Sequence, residues 1–132
     1  MSALAAIKQG RRLAETLMLD TVVIDRVTGV EVDPMTGQDT PTYERLYEGK
    51  GKVQSFAAYE ESKEVIEHSS VVQRMSIHIP VGAYRCSVGD IITVTHSGVD
   101  PFLEGREFRV TQEVPYKSWA TSYRIYVDFK AD

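Results

Sequence analysis

The feature that most constrains this chain is a two-residue alternation of apolar and polar side chains, clearest between residues 86 and 111. Ile92, Val94 and His96 fall on one face of an extended segment, and Ile91, Thr93 and Thr95 on the other. After the turn formers Ser97-Gly98 and Asp100-Pro101, Phe108, Val110 and Val114 alternate with Glu107, Arg109, Thr111 and Glu113. A period of two places successive side chains on opposite faces of a strand, whereas a helix needs a period of about 3.6. Val88-Gly89-Asp90 supplies a tight turn, since glycine tolerates positive φ and aspartate bonds to nearby backbone amides. Strand, loop and strand in this order predict a small β-barrel.

The remaining segments fit that expectation. Val71, Gln73, Met75, Ile77 and Ile79 alternate with Val72, Arg74, Ser76 and His78, and Pro80 stops this strand because it cannot donate to the ladder. Tyr123, Ile125, Val127 and Phe129 form a last strand, and residues 21–27 a first one. Residues 29–37, with Asp33-Pro34 and Thr36-Gly37, read as a reversal between strands. Residues 42–56 read as a long extended piece in which Gly49 and Gly51 mark a bulge or sharp coil. The fold class expected is mainly β: a closed or partly open barrel of about six strands with an N-terminal α-helix. One domain spans residues 1–132, with the helix at 1–18 and the barrel at 19–130.

Two segments stand apart from the barrel pattern. Residues 2–18 read as a helix capped by Ser2, with Ala3, Leu4, Ala6, Ile7, Leu13, Ala14, Leu17 and Met18 on one broad face. Gly10 lies near the middle of that face, where a small residue lets another backbone approach. Leu4, Ile7, Gly10, Leu13 and Leu17 are therefore the candidate helix interface, either over the barrel's own open end or toward a partner. Residues 57–70 form a charged insertion with weak helical periodicity and no strong turn code. Its Tyr59, Glu60, Glu61, Lys63, Glu64 and Glu67 are a candidate assembly arm or channel loop, and a solvated hairpin tip is the plainer reading.

Composition narrows the function classes. The chain has 132 residues, a net charge of −4 and a single cysteine. A net negative charge argues against a protein that coats nucleic-acid backbone. Cys86 has no internal partner, so nothing requires an oxidising compartment. The opening apolar run is too short for a signal peptide, and no segment reaches the roughly 20 apolar residues of a membrane span. His68, His78 and His96 show no metal-ligand spacing, and the acidic turn at residues 33–37 lacks the alternating oxygen ligands of a calcium loop. Gly49 and Gly51 lack the Lys-Ser/Thr and helix of a phosphate cradle. No enzyme, cofactor or metal is expected. Small barrels also bind single-stranded nucleic acid through exposed aromatics, and Tyr43, Tyr47, Tyr59, Tyr84, Tyr116, Tyr123 and Tyr126 supply aromatics here, dispersed and without an evident cationic groove.

The order and combination of several short motifs resemble a family of small actinobacteriophage proteins from the head–tail joining genes. The residues that carry the likeness are His78 through Tyr84, Ser87-Val88-Gly89-Asp90, Asp100-Pro101 with Leu103-Glu104-Gly105-Arg106, and Tyr116 through Arg124. The early Ala6-Ile7-Lys8 and Gly10-Arg11 helix and the Asp33-Pro34 turn fit as well. The resemblance implies a head-closure or stopper protein, located in the virion neck after assembly in the host cytoplasm. It implies a self-assembled ring, a hexamer in preference to a dodecamer. A portal-adaptor protein would lie above the ring and a tail terminator or tail tube below, with packaged DNA held in the channel without sequence specificity and no membrane partner. Carboxylates of residues 57–70, if they line the lumen, would let DNA slide without sticking. A tail terminator or other tail-ring protein shares this ring-building logic, and a small nucleic-acid-binding barrel is the other alternative.

Overall fold

The computed structural model describes residues 2–61 and 69–130. One helix, α1 (Ala3–Thr16), precedes six strands: β1 (Asp20–Val32), β2 (Asp39–Glu61), β3 (Ser69–Ile79), β4 (Ile91–Ser97), β5 (Glu107–Val110) and β6 (Tyr123–Phe129). A single 3-10 turn at Pro101–Leu103 lies between β4 and β5. Every neighbouring pair is antiparallel, and the order β1-β2-β3-β6-β5-β4 closes when β4 returns to β1. Closure removes the edge problem over the shared region, because each strand there is hydrogen-bonded on both sides.

The barrel interior is filled by the alternating apolar residues. Val22, Ile24, Ile77, Ile79, Ile92, Val94, Phe108, Val110, Ile125 and Val127 form one buried cluster. Full burial of each such side chain stabilises by about 1.5–3 kcal/mol before the entropy of ordering is counted. Cys86 and Val114 join the cluster from the connecting segments. The alternation holds in β4 up to Val94 and then changes phase. Thr21 pairs with His96 but Val22 pairs with Val94, so Thr95 is an extra residue on β4. His96 consequently leaves the face of Ile92 and Val94 and is exposed, while Ser97 turns inward and donates to Asp20 Oδ1 at 2.6 Å.

β2 is the spine of the molecule. Its first half pairs with β1 from Asp39 to Gly51, and its second half pairs with β3 from Lys52 to Glu61. Two hairpins therefore prolong opposite ends of one strand. β1 pairs with β4 only as far as Asp25, so its continuation with the start of β2 forms a two-stranded ribbon beyond the barrel. Residues 29–32 belong to this ribbon, not to the reversal; the turn itself is confined to residues 33–38. There Met35 N donates to the Asp33 carboxylate at 2.9 Å and Gly37 N to the Asp33 carbonyl at 2.7 Å. Residues 57–61 and 69–70 likewise continue the β2–β3 hairpin as paired strands, within the segment read as a loop, an arm or a hairpin tip. The cross-strand ladder extends the barrel strands through a charged sequence whose side-chain periodicity gave no sign of it.

The expected bulge at the glycines falls elsewhere. Register shifts lie between Ile24/Asp25 and between Val27/Gly29, leaving Leu46 and Thr28 as the extra residues. Gly51 serves close approach: a Cβ there would lie 3.0 Å from Val22 and 3.2 Å from the His78 carbonyl oxygen. Ser2 caps the helix as expected, accepting from Ala5 N at 3.1 Å. The C-terminal part of α1 borders outward-facing side chains of β2, β3 and β6. Its tethers are Arg11 Nε to the Ala120 carbonyl at 3.1 Å and Glu15 to Lys50 Nζ at 2.9 Å. Gly10 permits this seat, since a Cβ would stand 3.0 Å from Thr121 Cγ2.

Candidate functional site

Three surface features follow from this architecture. The first is a cleft of about 210 Å³ between α1 and the barrel wall, lined by Ala14, Leu17 and Met18 of the helix side and by Lys52, Gln54, His78, Ser122 and Arg124 of the sheet side. Strand register builds it. Lys52 pairs with His78 and His78 with Arg124, so three side chains distant in sequence stand in one row across β2, β3 and β6. Their neighbours Val53, Ile77 and Ile125 face the core, which turns this row outward beneath the helix. His78 is buried, with Nδ1 at 3.1 Å from Ser122 Oγ and Nε2 at 3.4 Å from Ser76 Oγ. Burial, then the charges of Lys52 and Arg124, push His78 down to about 4, so the ring is neutral at pH 7. Neither Lys52 nor Arg124 enters an ion pair among the described residues.

The second feature is the β1–β2 ribbon. Between residues 27 and 44 it carries Glu31, Asp33, Asp39 and Glu44 and no lysine or arginine. Its apolar side chains are exposed: Val30 at 62%, Val32 at 58% and Met35 at 91%. The ribbon's base is fixed by a polar knot at the barrel end. Asp90, buried, accepts from Arg26 Nε at 3.0 Å and Nη2 at 3.2 Å, and from Ser87 N at 2.9 Å. The same guanidinium donates to Tyr84 Oη at 2.7 Å and Ser87 Oγ at 3.1 Å. The carboxylate of Asp90 raises the Arg26 pKa above its ordinary value, so the guanidinium stays charged. Asp90 thus bonds the turn amide expected of it and also ties β1 to the 84–90 connector.

The third is an apolar patch of Ala3, Ala6, Ile7 and Trp119, the last 64% exposed. The candidate helix interface is divided by the fold. Gly10 faces the 119–122 loop, Ile7 is half-buried, and Leu4, Leu13 and Leu17 are exposed at 59–60%. Of the candidate arm, Tyr59, Glu60 and Glu61 have backbones paired with Val71, Ser70 and Ser69. Lys63, Glu64 and Glu67 lie outside the described residues. No group of three His, Cys, Asp or Glu side chains is placed to hold a metal ion among the described residues. No helix among them is long and apolar enough to cross a membrane. Cys86 is buried, which pushes its thiol up to about 12, so it is protonated and a poor nucleophile at neutral pH.

Sequence reasoning missed both the Lys52–His78–Arg124 row and the Arg26–Asp90 knot. Their members are separated by 26, 46 and 64 positions, and only strand pairing brings them together. The described tyrosines remain dispersed: Tyr84 packs by Arg26, while Tyr116 and Tyr123 flank Arg85, whose guanidinium lies 3.7 Å over the Tyr116 ring. In comparison with known proteins, a family model described as a family of unknown function, DUF6093, matches residues 10–128. No curated protein and no solved structure matches the chain.

Proposed function

The chain belongs to the family DUF6093, whose function is unknown, and from that premise we propose that it is a structural subunit of a phage head–tail connector. In this reading it forms a stopper ring that closes the DNA-filled head and presents a docking face to the tail. The observation that carries the reading is the pair of hairpins built on opposite ends of β2 around a closed barrel. A ring subunit needs two different patches that meet head to tail around a closed axis. A rigid barrel with an acidic ribbon at one end of its spine and a cationic cleft further along it supplies two unlike surfaces. The sequence resemblance to head–tail joining proteins supports the same assignment and favours six copies. The partners are then the portal adaptor above, the tail terminator or tail tube below, and DNA in the channel. The role requires no chemistry, cofactor or membrane.

The test uses DNA-filled heads that lack this protein. Adding the full chain back should place a ring at the portal vertex, restore DNA retention and permit tail attachment. A ring on isolated tails with none on heads would reassign the protein as a tail terminator. Binding to neither, with salt-dependent binding to single-stranded nucleic acid, would overturn the connector reading in favour of a nucleic-acid-binding barrel.

A further inference from the structure

The cleft beneath α1 holds two cations with no anionic partner among the described residues. Lys52 and Arg124 stand on either side of His78, which is neutral and offers them no compensation. Ser122 and Thr121 hydroxyls and the Gln54 amide line the same space, and Leu17 forms an apolar rim with Leu13 one turn away, both about 60% exposed. A cavity of about 210 Å³ is smaller than the roughly 300–1,000 Å³ of cofactor and metabolite pockets, and is of side-chain dimension. Its chemistry asks for a carboxylate carried on a partly apolar element.

The β1–β2 ribbon is such an element. Glu31, Asp39 and Glu44 enter no ion pair among the described residues; the register puts Glu31 and Glu44 on one face of the ribbon and the exposed Val30 and Val32 with Asp39 on the other, with exposed Met35 at the turn. We propose that the cleft is the socket for the acidic β1–β2 ribbon of a second copy of this chain, with Lys52 and Arg124 receiving its carboxylates and Leu13 and Leu17 meeting its apolar side chains. The ribbon cannot reach its own socket. Asp39 and Lys52 lie on one continuous strand, roughly 40 Å apart at about 3.3 Å per residue. The contact is therefore heterologous, ribbon to socket, and repeats around a ring or along a filament. This inference rests on the self-assembling ring read above and names the junction within it.

Charge reversal on each side tests it, with assembly measured for the full chain by sedimentation in solution and by imaging on DNA-filled heads. Lys52→Glu with Arg124→Glu makes an acidic socket; Glu31→Lys, Asp39→Lys and Glu44→Lys together make a basic ribbon. Either set should weaken assembly roughly a hundredfold, about tenfold for each of two lost charge pairs, and raise its sensitivity to salt. Mixing the two variants should restore assembly, since each then offers the other a complementary ribbon and socket. Combining all five substitutions in one chain should restore it as well. Restoration also demonstrates that the variants are folded, as should unchanged far-UV circular dichroism. Wild-type rings with variants that assemble equally well would overturn the junction while leaving the ring intact. A wild-type chain that assembles neither in solution nor on heads would overturn the ring and the junction together. Normal assembly of the socket variant, with loss of binding to a duplex oligonucleotide, would make the cleft a phosphate site and overturn the proposal.

Discussion

Replacing His78 by glutamine should remove most of the acid sensitivity that the α1 cleft confers on this fold. The imidazole is buried between Ser76 and Ser122 Oγ, with Lys52 and Arg124 beside it on the sheet and Ala14, Leu17 and Met18 lining the helix side of the cleft. Burial and the two cations hold its pKa at about 4, against 6.5 in the unfolded chain. Between these values the unfolded state binds a proton that the folded state refuses, so stability is fully present above pH 6.5 and is lost as pH falls toward 4. The shift corresponds to at most about 3 kcal/mol, reduced to about 2 kcal/mol by water in the adjoining cleft. Glutamine keeps hydrogen-bonding capacity for Ser122 and does not titrate in this window. Urea unfolding followed by circular dichroism at pH 7 and at pH 4 compares the two chains. At pH 7 the variant should be about 1 kcal/mol less stable through lost packing and hydrogen bonding. At pH 4 the order should reverse, with the difference moving by about 2 kcal/mol, or roughly 1 M in urea midpoint at m near 2 kcal/mol/M. Parallel pH dependences for the two chains, or a His78 resonance titrating near its ordinary value, would refute the reasoning.

Other expectations concern the knot, the core and the distal hairpin. Arg26→Met should be more destabilising than Asp90→Asn, because it strands a carboxylate that is 2% exposed, whereas a released guanidinium turns to water; the double variant should cost less than the sum, as a denaturation cycle would show. Phe108→Ala, at a fully buried site that packs 5.0 Å from the Phe129 ring, should cost about 3–5 kcal/mol, read as an equal-slope shift in urea midpoint. Deleting residues 58–68 should leave a folded barrel, because Ala57 stays paired with Gln73 and the β3–β6 ladder from Met75 to Ile79 is untouched. Thermal melts should then match those of the parent, while DNA retention or ring assembly falls; normal retention by reconstituted heads would dismiss a role for that segment.

Much of the barrel was legible because its physics is local. In β3 and β6 the alternation Ile77, Ile79 and Ile125, Val127 maps directly onto the core, and Asp90 makes the turn bond that its position after Gly89 suggested. Elements failed where a neighbour overrode the local signal. Residues 29–32 lead from Gly29 into the turn formers Asp33-Pro34 and Thr36-Gly37, which reads as one reversal, yet a β2 partner keeps them extended from Gly29 to Val32. The helix shows the same effect in reverse. Its leucines suggested the buried face, but Gly10 stands against Thr121 and Met18 is the side chain that is buried, so Leu13 is exposed and Leu17 sits at the rim of the cleft. The extra residue Thr95 likewise flips His96 to the surface, a register matter that no single strand encodes.

The sequence by itself determined a mainly β chain with one capped helix, the inward-facing side of most strands, and a cysteine without an internal partner. Periodicity, turn chemistry and capping act over a few residues, and a single chain displays them directly. Only the tertiary structure decided that β2 serves two hairpins, that Lys52, His78 and Arg124 share one row, and that Arg26 locks onto Asp90. Those outcomes depend on which strands pair and in what register. Register is set by burying one continuous core, so it belongs to the closed barrel as a whole and to no segment of it.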